Sequence, residues 1–290
     1  MNDNRELSFF NFINLNEDQI LAFQNDWKRY VSQKKHYKGQ NLGQGKGIVI
    51  TAGGLKYFTT TYVLIHTLRS MGCLLPIEVW YHGDELTRSM CKILEKLEVR
   101  CLNTKDYIHT PPSGFLMKPL AIMYSNFREV LFLDADNNCI KDPTYLFHDG
   151  NYEKYGCMFW PDYWRTSPSN PIWSILEIEC NNSPEQESGQ ILVNKSRCWD
   201  QLQLCLYFNM KGMDYYKLLY GDKDTFRFAW LALKSPYYMI PFDTGSCGVM
   251  HESSFYGNTM VQHDAQGEII FLHRNLLKWD ITCPDERGWK

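Results

Sequence analysis

The 290-residue sequence contains no apolar run near the ~20 residues that a membrane-spanning helix needs. Its start, MNDNRELSFF, has neither the basic segment nor the apolar core of a secretory signal. The chain is therefore expected to be soluble and cytoplasmic as it stands, with the Golgi lumen the alternative if it is cut from a longer protein. An excess of one charge is missing too: 30 Lys and Arg against 33 Asp and Glu leave a net charge of −3. With no chain-wide positive field, neither nucleic acid nor an anionic membrane is expected as a partner, and any anionic ligand must be held by local groups. The ten cysteines include no C-x-x-C pair, which disfavours a zinc module. Free buried thiols and a few disulfides both stay open, with thiols slightly ahead. No internal repeat or low-complexity segment appears.

What is present is an alternating chain. Residues 1–46 form a lead-in, with a helix expected in NEDQILAFQNDWKRYVSQKKHY and a Gly/Gln/Asn linker after it; residues 47–290 are expected to form one catalytic domain. GIVIT reads as a buried strand, the Gly53-Gly54 pair as a turn, and the following residues as a helix closed by Gly72. LPIEVWYHG is a second strand, DELTRSMCKILEKLEV a helix with Asp84 as its N-cap, VRCLN a short strand, MKPLAIMYSNF a helix and EVLFLDAD a fourth strand. Such alternation predicts an α/β fold with a mostly parallel sheet flanked by helices, in which ligands sit at the carboxyl ends of the strands. Further on, GCMFWPDYW and GQILVNKS read as strands, RCWDQLQLCLYFNMKG and DKDTFRFAWLALK as helices, and MVQHDAQGEIIFLHRN as a hairpin around Ala265, Gln266 and Gly267.

The segment VLFLDADNNC runs four apolar residues into Asp134 and Asp136. Residues i and i+2 of an extended chain point to one side, roughly 7 Å apart at Cα, so the two carboxylates converge. They repel unless a cation lies between them or one takes a proton, and hard oxygen ligands favour Mg²⁺ or Mn²⁺ over zinc. A D-x-D alone reads equally as an Asp-rich turn; its place at the end of a buried strand favours the metal. Gly53 and Gly54 let backbone N–H groups approach a ligand. Lys118 is either a phosphate partner or a solvated surface lysine. In IIFLHRNLLKW, His273 ends an apolar strand and Lys278 follows five residues later. His273 is the first candidate for a third metal ligand and His263 the second; alone, a strand-end histidine is more often structural.

GIVITAGG, FLMKPLAIMYSNFREVLFLDADNNCIKDPTYLF, EQESGQILVNKSR and YGDKDTFRFAW resemble, in order and spacing, the blocks of the fungal-type α-mannosyltransferases of glycosyltransferase family 71. The ending FLHRNLLKW is similar to that of the glycogenin-like enzymes of family 8. The resemblance implies a GT-A fold, a nucleotide-sugar donor, a D-x-D-bound Mn²⁺ (or Mg²⁺) and retention of anomeric configuration. It implies Asp134, Asp136 and His273 as metal ligands. It puts Thr51, Ala52, Gly53, Tyr57, Asp84, Lys118, Ala135, Gly189 and Lys278 around the donor. GDP-mannose is favoured, with UDP-glucose or UDP-galactose kept as alternatives, and the acceptor is expected to be a hydroxyl of a glycan or glycoprotein.

For the sugar, Gln190 or Glu187 is expected to face the reaction centre, with a capped turn before a core strand as the plain alternative. Asp222 and Asp224 sit at an expected helix start; capping is the better reading for one, and contact with sugar or acceptor for the other. Asp162 and Trp164 are candidates for the acceptor, although core packing explains the aromatic residue equally well.

Overall fold

The computed structural model of the chain describes residues 6–8, 14–33, 42–108, 114–276 and 278–279. From the amino end the elements run β1 (Glu6–Ser8), α1 (Glu17–Gln33), β2 (Lys46–Thr51), α2 (Gly54–Ser70), β3 (Ile77–Tyr81), α3 (Arg88–Glu95), β4 (Val99–Asn103), α4 (Met117–Tyr124) and β5 (Glu129–Asp134). β6 (Asn137–Cys139), α5 (Gly150–Tyr155), β7 (Cys157–Pro161), β8 (Trp164–Thr166), α6 (Ile172–Leu176) and β9 (Gln186–Asn194) follow. The chain continues through α7 (Lys195–Met210), α8 (Gly212–Tyr215), α9 (Thr225–Ala232), β10 (Tyr238–Met239), β11 (Gly245–His251), β12 (Ser254–His263) and β13 (Ile269–His273).

The central sheet has the order β10-β7-β9-β5-β2-β3-β4. β5, β2, β3 and β4 are mutually parallel, and β9 runs antiparallel between β5 and β7. Its inner strands are buried on both faces, which explains the continuous apolar runs of β2 and β5. Val49, Val130, Phe132, Ile191 and Val193 face one core with α4, α7 and α9. Ile48, Ile50, Leu131, Leu133 and Leu192 face the other, under α2 and α3. A second, antiparallel sheet of order β11-β12-β13-β6 begins at the end of β5, and its Phe271 packs edge-on against Trp160. This is the expected helix-flanked, mostly parallel α/β architecture, with D-x-D at a strand end.

The lead-in helix packs onto this body. Trp27 is buried and donates from its indole to the Ile175 carbonyl (2.9 Å), and Tyr30 stacks on Tyr207. The linker after it falls mostly outside the described residues. The nine described cysteines are free thiols, and Cys283 lies outside the described residues. No helix of the described residues is long and apolar enough to cross a membrane.

Two helix starts differ from the sequence expectation. The helix after β3 begins at Arg88, and its N-cap is Thr87, whose hydroxyl accepts from the Met90 N–H (3.3 Å); Asp84 lies outside it in the preceding turn. At α9 neither aspartate caps with its side chain: Asp224 occupies the N-cap position but its carboxylate is taken by Arg227, three residues on. A guanidinium offers two charge-assisted hydrogen bonds and outcompetes the helix N–H groups.

α4 is anchored at its far end. The buried Lys195 amine donates to the carbonyls of Met123 (3.2 Å) and Ser125 (2.7 Å), satisfying groups that a helix end leaves without partners. The near end carries Lys118 and Pro119 in its first turn, where proline costs no hydrogen bond.

Candidate active site

The carboxyl edge of the sheet gathers charge from five segments. β5 delivers Asp134, level in register with Thr51 at the end of β2. The turn after it places Asp136, and β6 then pairs with β13 so that Asn137 is level with His273. Nearest ligand atoms of Asp134, Asp136 and His273 all lie within 4.8 Å of one another. His273 Nε2 is 3.4 Å from Asp136 Oδ1, and its Nδ1 is 3.1 Å from Glu187 Oε1. His263 is elsewhere: its ring lies against Phe242 and its carbonyl accepts from Trp160.

Lysines flank the acids. Lys118 is buried, not solvated, and its ammonium lies 3.2 Å from Asp134 and 3.0 Å from Asp222 while donating to the Ser188 hydroxyl (2.8 Å) and carbonyl (2.9 Å). Lys278 donates to Asp136 Oδ2 and lies 5.2 Å from the centre of the Tyr57 ring. Lys118, His273 and Lys278 thus lie against the two adjacent carboxylates.

The balance is uneven. Burial pushes the Asp134 carboxyl up to about 6; Asp136 and Asp222 push the same way, against Lys118 and His273. Burial also opposes charge on Asp136, but His273 and Lys278 outweigh it and hold that carboxyl well below the usual range. Glu187, likewise buried, is drawn down to about 2, chiefly by His273. Burial alone would lower His273, yet Glu187 and Asp136 on its two sides raise it well above the ordinary imidazole value.

The donor set fits a divalent cation. Two carboxylates and an imidazole nitrogen converge, and Glu187 lies beside the far ring nitrogen, the position from which outer carboxylates orient metal-bound histidines. Gly189 is required here: a Cβ at that position would lie 2.6 Å from His273 Nδ1 and 2.8 Å from Glu187 Oε1.

The remaining expected residues divide. Ala52 and Ala135 are buried beside the strand ends, and the Ala52 N–H donates to the Trp80 carbonyl. Gly54, with φ +69°, opens α2, which has neither a side-chain cap nor an acidic residue in its first turn. Tyr57 is exposed at that helix start, and Asp84 is exposed beyond β3. Asp222 joins the cluster through Lys118. Asp162 is buried and paired with Lys223 (2.7 Å), which also holds Glu185 (2.7 Å); burial pushes Asp162 up to about 6. Trp164 stands two residues on, half-buried in β8.

Two expected residues have their side-chain oxygens engaged by other protein groups. Gln190 is fully buried and its side-chain oxygen accepts from the Asn137 amide, which also donates to the Gly189 carbonyl (2.7 Å). Asp224 is consumed by Arg227 and by the Gln186 N–H (2.9 Å). Sequence reasoning passed over Lys223 and Glu185. Lys223 had a signal, a lysine between two aspartates in GDKDT; Glu185 had none.

A family model described as a putative mannosyltransferase matches residues 45–186 and 174–264. The chain belongs to this mannosyltransferase family. This mannosyltransferase-family chain is 28% identical over 324 residues to Alpha-1,2-mannosyltransferase MNN21 of Candida albicans, covering 90% of itself and 49% of that protein. It is 28% identical over 311 residues to Alpha-1,2-mannosyltransferase MNN2 of Saccharomyces cerevisiae, covering 87% of itself and 51% of that protein. The chain therefore spans about half the length of the curated relatives it matches. Among solved structures, the apo WbbM bifunctional glycosyltransferase aligns with a TM-score of 0.49 at 11% identity, over 71% of this chain and 40% of that one.

Proposed function

We propose that the chain is a retaining mannosyltransferase that moves mannose from GDP-mannose to a hydroxyl of a glycan or glycoprotein, forming an α-glycosidic bond. The observation that carries this reading is the convergence of Asp134, Asp136 and His273 beside Lys118 and Lys278, in a chain of a mannosyltransferase family. The names of the relatives favour an α-1,2 linkage.

Asp134, Asp136 and His273 would hold Mn²⁺ or Mg²⁺, which when bound would supply Lewis-acid neutralisation of a diphosphate. Glu187 keeps the His273 ring in place. Lys278, which donates to Asp136 and lies over Tyr57, donates to phosphate oxygens, and N–H groups beyond Gly54 at the uncapped start of α2 bind the same anion. Asp222, anchored by Lys118, is the carboxylate that accepts from sugar hydroxyls or offsets positive charge developing on the ring. The acceptor enters past Asp162 and Trp164, on the face from which the diphosphate leaves.

Transfer from GDP-mannose to a mannoside, followed as GDP release, tests the reading. Asp134→Ala combined with Asp136→Ala is expected to lower turnover by at least about a hundredfold while the unfolding midpoint is kept. Undiminished transfer overturns the assignment, and a wild-type protein that uses UDP-hexoses in preference overturns the donor.

A further inference from the structure

The loop after β3 stands where the base of a nucleotide would reach. In the sheet, β5, β2 and β3 are successive neighbours. Strands lie about 4.8 Å apart, so the end of β3 is about 10 Å from Asp134 along the carboxyl edge. A diphosphate at β5 puts a ribose over the end of β2 and a base over the end of β3.

That loop is held in one shape. Asn103 clamps Gly83 from both sides, accepting from its N–H (3.0 Å) and donating to its carbonyl (2.8 Å). The Gly54 N–H donates to the Glu85 carbonyl (3.1 Å), tying the loop to the start of α2. The Glu85 carboxylate lies directly over Gly53: a Cβ there would meet Oε2 at 2.8 Å and Oε1 at 3.1 Å. Oε2 accepts from the His82 N–H (2.9 Å), which fixes the carboxylate while the residue stays exposed. Asp84, also exposed, has no such seat.

A fixed, exposed carboxylate is a pair of acceptors with no donor. Guanine offers two adjacent donors, N1–H and the 2-amino group, on its Watson–Crick edge. Uracil offers one N–H between two carbonyl oxygens that a carboxylate repels. We propose that Glu85 reads the guanine edge and makes the site selective for guanosine diphosphate sugars, and that Gly53 is glycine because the carboxylate occupies the space of its side chain. This rests on the donor-site reading above and adds to it the residue that chooses the base.

Titration calorimetry of the full chain with free GDP, IDP and UDP in Mn²⁺ buffer tests it. IDP differs from GDP only by lacking the 2-amino group. Wild-type protein is expected to bind GDP about tenfold or more tightly than IDP or UDP, the discrimination of one good two-point contact. Glu85→Gln should bring GDP down to the IDP level and leave pyrophosphate affinity and the unfolding midpoint unchanged. Gly53→Ala, which displaces the carboxylate without altering its chemistry, should also lower the GDP-to-IDP ratio. If wild type prefers GDP and Glu85→Gln keeps the full ratio, the role of Glu85 is overturned and the donor reading stands. If wild type prefers UDP, both fall.

Discussion

Asp136 and Asp224 are both nearly fully buried aspartates with basic partners, and they are built to opposite ends. Asp224 is complete: Arg227 grips both its oxygens (2.7 and 2.6 Å), and the Gln186 N–H and Thr166 hydroxyl fill the remaining positions. Asp136 is held by His273 and Lys278 but also faces a second carboxylate, Asp134, which burial first, and then Asp136 and Asp222 beside it, push up to about 6. Removing one partner from the closed Asp224 cluster is costly, whereas two carboxylates crowded at a strand end favour an added cation.

Substitutions can break that contrast. The largest effect is expected from Asp134→Asn, which removes a carboxylate from the crowded side: transfer should fall by about a hundredfold or more, while the thermal midpoint holds or rises. A marked loss of midpoint would show that the crowded cluster is structural. Arg227→Met strips the finished side and leaves Asp224 charged and alone; urea unfolding should report a loss of about 3–5 kcal/mol.

A third test uses pH away from both clusters. Burial opposes charge on Asp264, but Lys141, Tyr145 and the N–H groups of Glu268 and Gln266 outweigh it and lower its carboxyl. A depressed folded value contributes stability above the ordinary carboxylate range and loses it as pH falls through that folded value. Asp264→Asn should therefore cost about 1–3 kcal/mol at neutral pH, and the gap from wild type should close in acid. A pH-independent gap would contradict this. The smallest effect concerns a cap: Thr87→Ala should cost about 1 kcal/mol and Asp84→Ala less than about 0.5, and equal losses would return the cap to Asp84.

The parallel core was legible because both of its faces are buried, so β2 and β5 carry unbroken apolar runs, while β3 is apolar apart from the buried Glu78. The Asp264 turn was legible through Gly267, whose φ of +87° marks the bend. β6 was hidden by its length of three residues, and β11 by an exposed face with no alternation to read. The Asp224 pairing was misread because local rules favour an N-cap, while the arginine in DTFRFAW sits inside an apolar helix where its partner is decided by folding. Asp134, Asp136, His273 and Lys278 were legible as a set by residue type. Glu187 behind His273, and Asp222 bridged to Asp134 by Lys118, depend on β9 and the α9 turn arriving from far along the chain.

The segment from Asp134 to Cys139 belongs to both sheets: Asp134 ends a strand of the first and Asn137 begins a strand of the second. Whatever binds Asp134 and His273 together therefore acts as a clasp across a seam. Its grip should be felt as slowed amide exchange along β13 and β6 as well as around the ligand, because it ties the two sheets where the chain passes from one to the other.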